Sequence, residues 1–285
     1  MDKEYFDIGD NDIRVVGANT PRKDETKTKI PRWPWLLAAL LLIVLILCIT
    51  TMRHPSKSPI LYAPAPAIDT TEQVTFESPL ETEAYTTTSS DTINDIALRL
   101  YTPVGGHVEL LVGELPYADR SIILAAQAAD YRADNGEISG AFVYRGELLS
   151  RGHPKYGFCA IIGDKLTMGM SPETPLFERA VEQEGYFFRQ FSLVHDGHLG
   201  ETLPKGKAIR RALCYYRQSI VVAESTERES LHDFSQALLD MGVQEAIALV
   251  GSVQLPLYED KQGNRIIQEE AHNEKFQETY IIWRR

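Results

Sequence analysis

The sequence predicts an α+β protein with mixed, largely antiparallel twisted sheets and packed helices, preceded by one transmembrane helix. Three observations carry that expectation. Trp35 to Met52 is an uncharged apolar run. Two segments, bending near Gly146 and near Gly163-Asp164, each read apolar, turn, apolar, the pattern of a hairpin. Leu231, Phe234, Leu238 and Met241 recur at spacings of three, four and three, which is the period of a helix.

Residues 1 to 34 mix acidic and basic groups without apolar periodicity, so they bury too little surface to offset chain entropy and read as a disordered cytoplasmic tail. The 18 residues from Trp35 to Met52 would make about 27 Å of helix at roughly 1.5 Å per residue, enough to cross a bilayer. Arg22, Lys23, Lys27, Lys29 and Arg32 precede this run, against Arg53 and Lys57 after it, which places the N-terminus in the cytoplasm. A cleaved signal peptide is the competing reading, on the small residues around Ala63 and Ala65, but the preceding tail is long for one. Residues 53 to 91 are rich in Pro, Thr, Ser and Glu and read as a stalk.

The folded domain is expected over 92 to 285. His107 to Gly113 reads as a strand, and Ser121 to Ala133 as a strand running into a helix or as a helix alone. Asn135-Gly136 makes a turn, and the two hairpins follow. Pro175 to Glu184 has the spacing of a short helix, and Gly185 to Glu201 that of a strand breaking at Asp196-Gly197. Ser219 to Ser225 is a β-branched strand. The helix after it opens on a capping box, Ser230 with Asp233, and stops at Gly242. Val243 to Val250 returns as a strand, and the closing Glu-Thr-Tyr-Ile-Ile-Trp-Arg-Arg is the last one.

A net charge of −11 argues against nucleic acid, since a phosphate-neutralising surface needs a basic stripe. The three cysteines, Cys48, Cys159 and Cys214, are too few for a disulfide scaffold; Cys159 and Cys214 are either a pair or two buried thiols.

Four stretches carry a resemblance. Ser139-Gly140-x-Phe142, then Leu193-Val194-x-Asp196-Gly197, then Arg211-Ala212 before a strand, and Val250-Gly251-Ser252 after one together resemble the phosphodiester glycosidase domain family. That family includes the enzyme uncovering mannose 6-phosphate on lysosomal hydrolases and bacterial exopolysaccharide-associated proteins. Its members carry Asn where this chain has Ser139, and an Asp-Gly-Gly-Gly-Ser run where this chain has Val250, Gly251 and Ser252. The resemblance covers about residues 92 to 285. It implies a bilobed α+β architecture whose catalytic equipment is altered.

Cleaving a sugar phosphodiester at the anomeric carbon needs a cationic clamp on the phosphate and a carboxylate to activate water or attack the sugar. Arg211 is the candidate clamp, because a guanidinium holds phosphate oxygens in a bidentate fork, and Arg189 and Arg210 are candidate helpers. Ser139, Gly140, Phe142, Gly251 and Ser252 are ligand-binding candidates by their place in the motifs. Val250 does not titrate, which leaves Asp196 and Glu224 as candidate catalytic carboxylates. His195, Asp196 and His198 read as an exposed turn rather than a metal set. No cofactor is specified.

The expectation is a single-pass protein of the bacterial inner membrane whose domain lies in the periplasm, with an envelope glycan, a sugar phosphodiester or an envelope protein as partner. Recognition without catalysis is the first reading. The second is an active hydrolase using Asp196 or Glu224 with Arg211 as the clamp.

Overall fold

The computed structural model describes residues 73–77, 83–201, 203, 206–251, 255–268 and 278–285, all of them in one compact unit, Pro64–Arg285. The expected tail, the Trp35 to Met52 run, much of the expected stalk, Cys48 and Ser252 lie outside the described residues. Among the described residues no helix is long and apolar enough to cross a membrane.

The chain opens with β1 (Gln73–Glu77), β2 (Tyr85–Ile93), β3 (Ile96–Val104) and β4 (His107–Val112). β1 and most of β2 fall within the stretch expected to be a stalk, so sheet structure starts ahead of Thr92. The Thr-rich run reads as polar linker, yet Thr is β-branched and suits an edge strand. β2 lies at the edge of its sheet with six of its nine residues exposed.

Then come β5 (Ile122–Gln127), β6 (Phe142–Tyr144), β7 (Glu147–Ser150), β8 (Gly157–Ile162) and β9 (Lys165–Met170). The pairs β6–β7 and β8–β9 are the two expected hairpins. The first turns through Arg145 and Gly146, both at positive φ. A Cβ on Gly146 would stand 2.9 Å from the Val181 carbonyl oxygen, so Gly is required there for space as well as for φ.

The second half holds α1 (Leu176–Glu182), β10 (Tyr186–Gln190), β11 (Ser192–His195), β12 (His198–Leu199), β13 (Lys207–Tyr216) and β14 (Ser219–Ser230). It ends with α2 (Leu231–Met241), β15 (Glu245–Leu249), β16 (Leu257–Glu259), β17 (Arg265–Ile267) and β18 (Thr279–Arg284). Gly185 to Glu201 breaks at Asp196-Gly197 as expected and also at Phe191, where the chain passes from one sheet into another. The capping box is present: Ser230 Oγ accepts from the Asp233 N–H at 3.0 Å and donates to the Asp233 carboxylate at 2.7 Å. Gly242 ends the helix at φ 93°.

Three sheets result. One runs β1-β9-β8-β10-β6-β7, the second β12-β11-β15-β13-β14-β3-β2, and the third β17-β16-β5-β18-β4. Neighbouring strands pair antiparallel, and the strand, helix, strand unit β14-α2-β15 places its two strands on either side of the antiparallel β13. All three sheets contribute to one central core, which includes Tyr101, Leu110, Ile123, Phe142, Leu213 and Ile281. α2 covers the outer face of the second sheet through Leu231, Phe234 and Leu238. α1 covers the outer face of the first through Leu176 and Ala180.

The protein is therefore mostly β, with antiparallel sheets and, among the described residues, two helices. This corrects the expected α+β fold with packed helices; the run expected to form the transmembrane helix lies outside the described residues. The clearest physical cause is Ser121 to Ala133, where β5 forms the strand of the first reading and no helix follows it. β5 is an inner strand between β16 and β18, with five of its six residues buried. Both of its faces are apolar, and a short apolar run of that kind has no period to separate strand from helix.

Candidate functional site

Register places Arg211 of β13 opposite Glu224 of β14, and Glu224 opposite Arg99 of β3. Directly paired residues share a face, so the expected clamp and one expected carboxylate meet at the margin of the central core. Arg211 donates from Nε to Glu224 Oε2 at 3.0 Å, from Nη2 to the same oxygen, and from Nη1 to the Val250 carbonyl at 2.7 Å. The Arg211 side chain is 0% exposed and that of Glu224 is 6% exposed. Tyr101 donates to the other carboxylate oxygen at 3.4 Å, and burial together with the Glu224 charge pushes the phenol up to about 12. The arrangement is a buried ion pair with both carboxylate oxygens engaged, a geometry that repays desolvation internally.

The other expected carboxylate is elsewhere. Asp196 is exposed in the two-residue turn between β11 and β12, at φ 47°. Its N–H donates at 3.0 Å to Glu245, whose oxygens also lie 2.9 and 3.1 Å from His195 Nδ1. Glu245, which the sequence reading passed over, is buried, and that burial raises its pKa. Arg211 is opposite Leu249 on β15, four residues beyond Glu245. That is about 13 Å along the strand at roughly 3.3 Å per residue, so Asp196 and Arg211 do not share a site. His198 Nδ1 donates to the Asp196 carbonyl at 2.8 Å, which closes the turn.

The first motif is split between core and corner. Phe142 is completely buried, its ring 6.4 Å from that of Phe188, so it packs in the core. Gly140 is needed for space: a Cβ there would stand 2.4 Å from the Arg189 carbonyl oxygen. Gly251 is in the same position, with a Cβ 2.3 Å from the Ile209 carbonyl oxygen. Arg189 is a structural tie. Its Nη1 donates to the carbonyls of Lys155, Tyr156 and Ser171 at 3.0, 3.2 and 2.6 Å, and Nη2 to Pro172 at 3.2 Å. Burial lowers its pKa.

Ser139 is half-buried, and its partner is a residue the sequence reading missed. Lys155, in the loop between β7 and β8, is 8% exposed. Its Nζ donates to Ser139 Oγ at 3.0 Å and to Gln190 Oε1 at 2.8 Å, and it stands 5.1 Å from the centre of the Phe191 ring. Among the described residues it has no carboxylate at ion-pair distance. Asp130 and Glu201 act on it from farther off, and burial lowers its pKa. Gln190 Nε2 and Ser192 Oγ, both buried, have no partner among the described residues. Glu201 braces the corner, accepting from the N–H groups of Ser192, Gly157 and Tyr156 at 2.6, 3.3 and 3.2 Å. No sequence signal marks Lys155 as buried, because it sits among His, Pro and Tyr in a polar loop.

The two cation clusters flank one strand end. Ala248 of β15 donates to the Phe191 carbonyl at 2.8 Å, and the next residue, Leu249, pairs with Arg211 on the other side. Two strand spacings separate their backbones, about 10 Å at roughly 4.8 Å each. On the outer face of the first sheet a cleft of about 400 Å³ lies beside α1, lined by Thr75, Lys165, Thr167, Arg179 and Gln183 among others. Cys159 and Cys214 are free buried thiols, and burial pushes both pKa values up.

The fold resembles that of a phosphodiester glycosidase domain, at low sequence identity. It is similar to the catalytic domain of zebrafish N-acetylglucosamine-1-phosphodiester α-N-acetylglucosaminidase auto-inhibited by its pro-peptide, at a TM-score of 0.51 and 13% identity over 75% of this chain and 88% of that one. A hypothetical protein from Synechocystis aligns at a TM-score of 0.43 and 11% identity, over 70% of this chain and 62% of the other. No family model and no curated protein matches the sequence.

Proposed function

We propose that the domain recognises a phosphorylated or phosphodiester-linked glycan without hydrolysing it. One observation carries the reading: Arg211 and Glu224 neutralise each other in a buried pair, while Val250 fills the position where the resemblance expects an acid. A clamp already bound to a carboxylate, and a carboxylate already bound to a clamp, are poor phosphodiester chemistry. Asp196, the remaining candidate acid, is remote from both. The fold's likeness to an N-acetylglucosamine-1-phosphodiester glycosidase supports the ligand class.

The test uses the full chain with an N-acetylglucosamine 1-phosphodiester. Saturable binding without release of N-acetylglucosamine is expected. Turnover above the buffer rate that disappears in Glu224→Gln or Asp196→Asn overturns the non-hydrolytic reading in favour of the enzyme.

A further inference from the structure

The structure assigns the anion contact to Lys155: we propose that its ammonium, the Gln190 amide and the Ser139 hydroxyl hold the phosphate group of the bound ligand. For the ligand's class, this rests on the glycan reading above.

A buried ammonium has lost its water, and what replaces the water tells its role. Two other buried cations in this protein have a carboxylate as the replacement, while Arg189 has four backbone carbonyls. Arg211 has Glu224, and Arg265, 5% exposed, has Glu259, 4% exposed, at 3.2 Å. Among the described residues Lys155 has the neutral Ser139 Oγ and Gln190 Oε1 and the face of Phe191, with no carboxylate at ion-pair distance. Glu201 is committed to three backbone N–H groups.

The donor set points the same way. Gln190 turns its carbonyl oxygen to Lys155, which leaves the Nε2 donor of the same amide in that corner, buried and without a partner among the described residues. Ser139 supplies a hydroxyl and is only half-buried, so the corner reaches the surface at that residue. Gly140, which has no side chain, follows it. An ammonium, an amide N–H and a hydroxyl are all donors, and an anion with several acceptor oxygens complements them. A metal cation would be repelled, and a neutral sugar would leave the charge uncompensated. Phosphate, as a monoester or diester, fits.

The test is calorimetric titration of the full chain, wild type and Lys155→Met, with glucose 1-phosphate, glucose and inorganic phosphate. Wild type is expected to bind glucose 1-phosphate about tenfold or more tighter than glucose. Lys155→Met should lose about tenfold or more toward both phosphates and change nothing toward glucose. Arg179→Met, which removes a cation from the cleft beside α1, should change phosphate affinity by less than about twofold. A phosphate preference retained in Lys155→Met overturns the assignment and leaves the glycan reading intact. Lys155-dependent binding of inorganic phosphate alone sinks the glycan reading and upholds the anion site; no binding of either phosphate sinks both. If Lys155→Met does not fold, Ser139→Ala decides: about a threefold or greater loss toward phosphate is expected, and no loss overturns the assignment.

Discussion

Arg211 and Lys155 are both buried cations, on either side of the end of β15, and they differ in what answers their charge. Arg211 is matched in register by Glu224, one strand away, and its donors are committed to that carboxylate and to Val250. Lys155 is answered by a hydroxyl, an amide and an aromatic face. The first arrangement is closed and serves stability. The second has, among the described residues, no carboxylate at ion-pair distance, and under the proposal above the phosphate of a ligand supplies the counter-charge.

The largest expected effect breaks the closed pair. Arg211→Met leaves Glu224 buried without its counter-ion and is expected to destabilise the fold by about 3–5 kcal/mol in urea unfolding. A loss below about 1 kcal/mol would show the pair to be dispensable and erase the contrast. Arg211→Met with Glu224→Leu should regain most of that loss, because no lone charge remains. Lys155→Met removes a charge that, among the described residues, no carboxylate answers at ion-pair distance, so its stability should change by about 1 kcal/mol or less while phosphate binding goes.

Smaller effects follow from titration. Burial holds the Lys155 ammonium below its usual 10.5, with Asp130 and Glu201 pulling the other way. Phosphate needs the charged form, so affinity should fall as pH rises through that lowered value, earlier than for an exposed lysine, in titrations from about pH 7.5 upward. A pH-independent affinity across that range would argue against Lys155 as the contact.

Asp119 gives an acid-side reference near the surface. Hydrogen bonds from the Ser121 hydroxyl and N–H, and the Arg284 guanidinium, hold its carboxyl at about 2, below the ordinary 3.8. The native carboxylate is favoured, so its contribution is complete above the ordinary value and is lost as pH falls toward 2. Asp119→Asn should flatten that part of the acid unfolding curve, and an unchanged curve would show that the contact carries no stability.

Much of the local structure was legible in the sequence. The hairpins at Gly146 and Gly163 and the capped helix from Ser230 to Gly242 rest on turn and cap chemistry that acts over a few residues. β18 was legible as an apolar terminal run. β5 was legible only as one of two readings of Ser121 to Ala133, because a strand buried on both faces has no alternation to separate it from a helix. The sheet change at Phe191 was hidden as well: the carbonyl there is met by Ala248, a residue distant in the chain. Of the candidate site residues, register joined Arg211 to Glu224, put Asp196 at the other end of β15, and turned Phe142 into core.

By itself, then, the sequence determined where the chain turns, caps and runs apolar, because those choices are made by torsions and hydrogen bonds between near neighbours. It also determined that Val250 holds no acid. Only the tertiary structure decided that Arg211 is spent on Glu224 and that Lys155, from an unremarkable loop, is buried with no carboxylate of the described residues at ion-pair distance. Burial and counter-charge are properties of what lies across a sheet or at a crossing, and no local pattern records them.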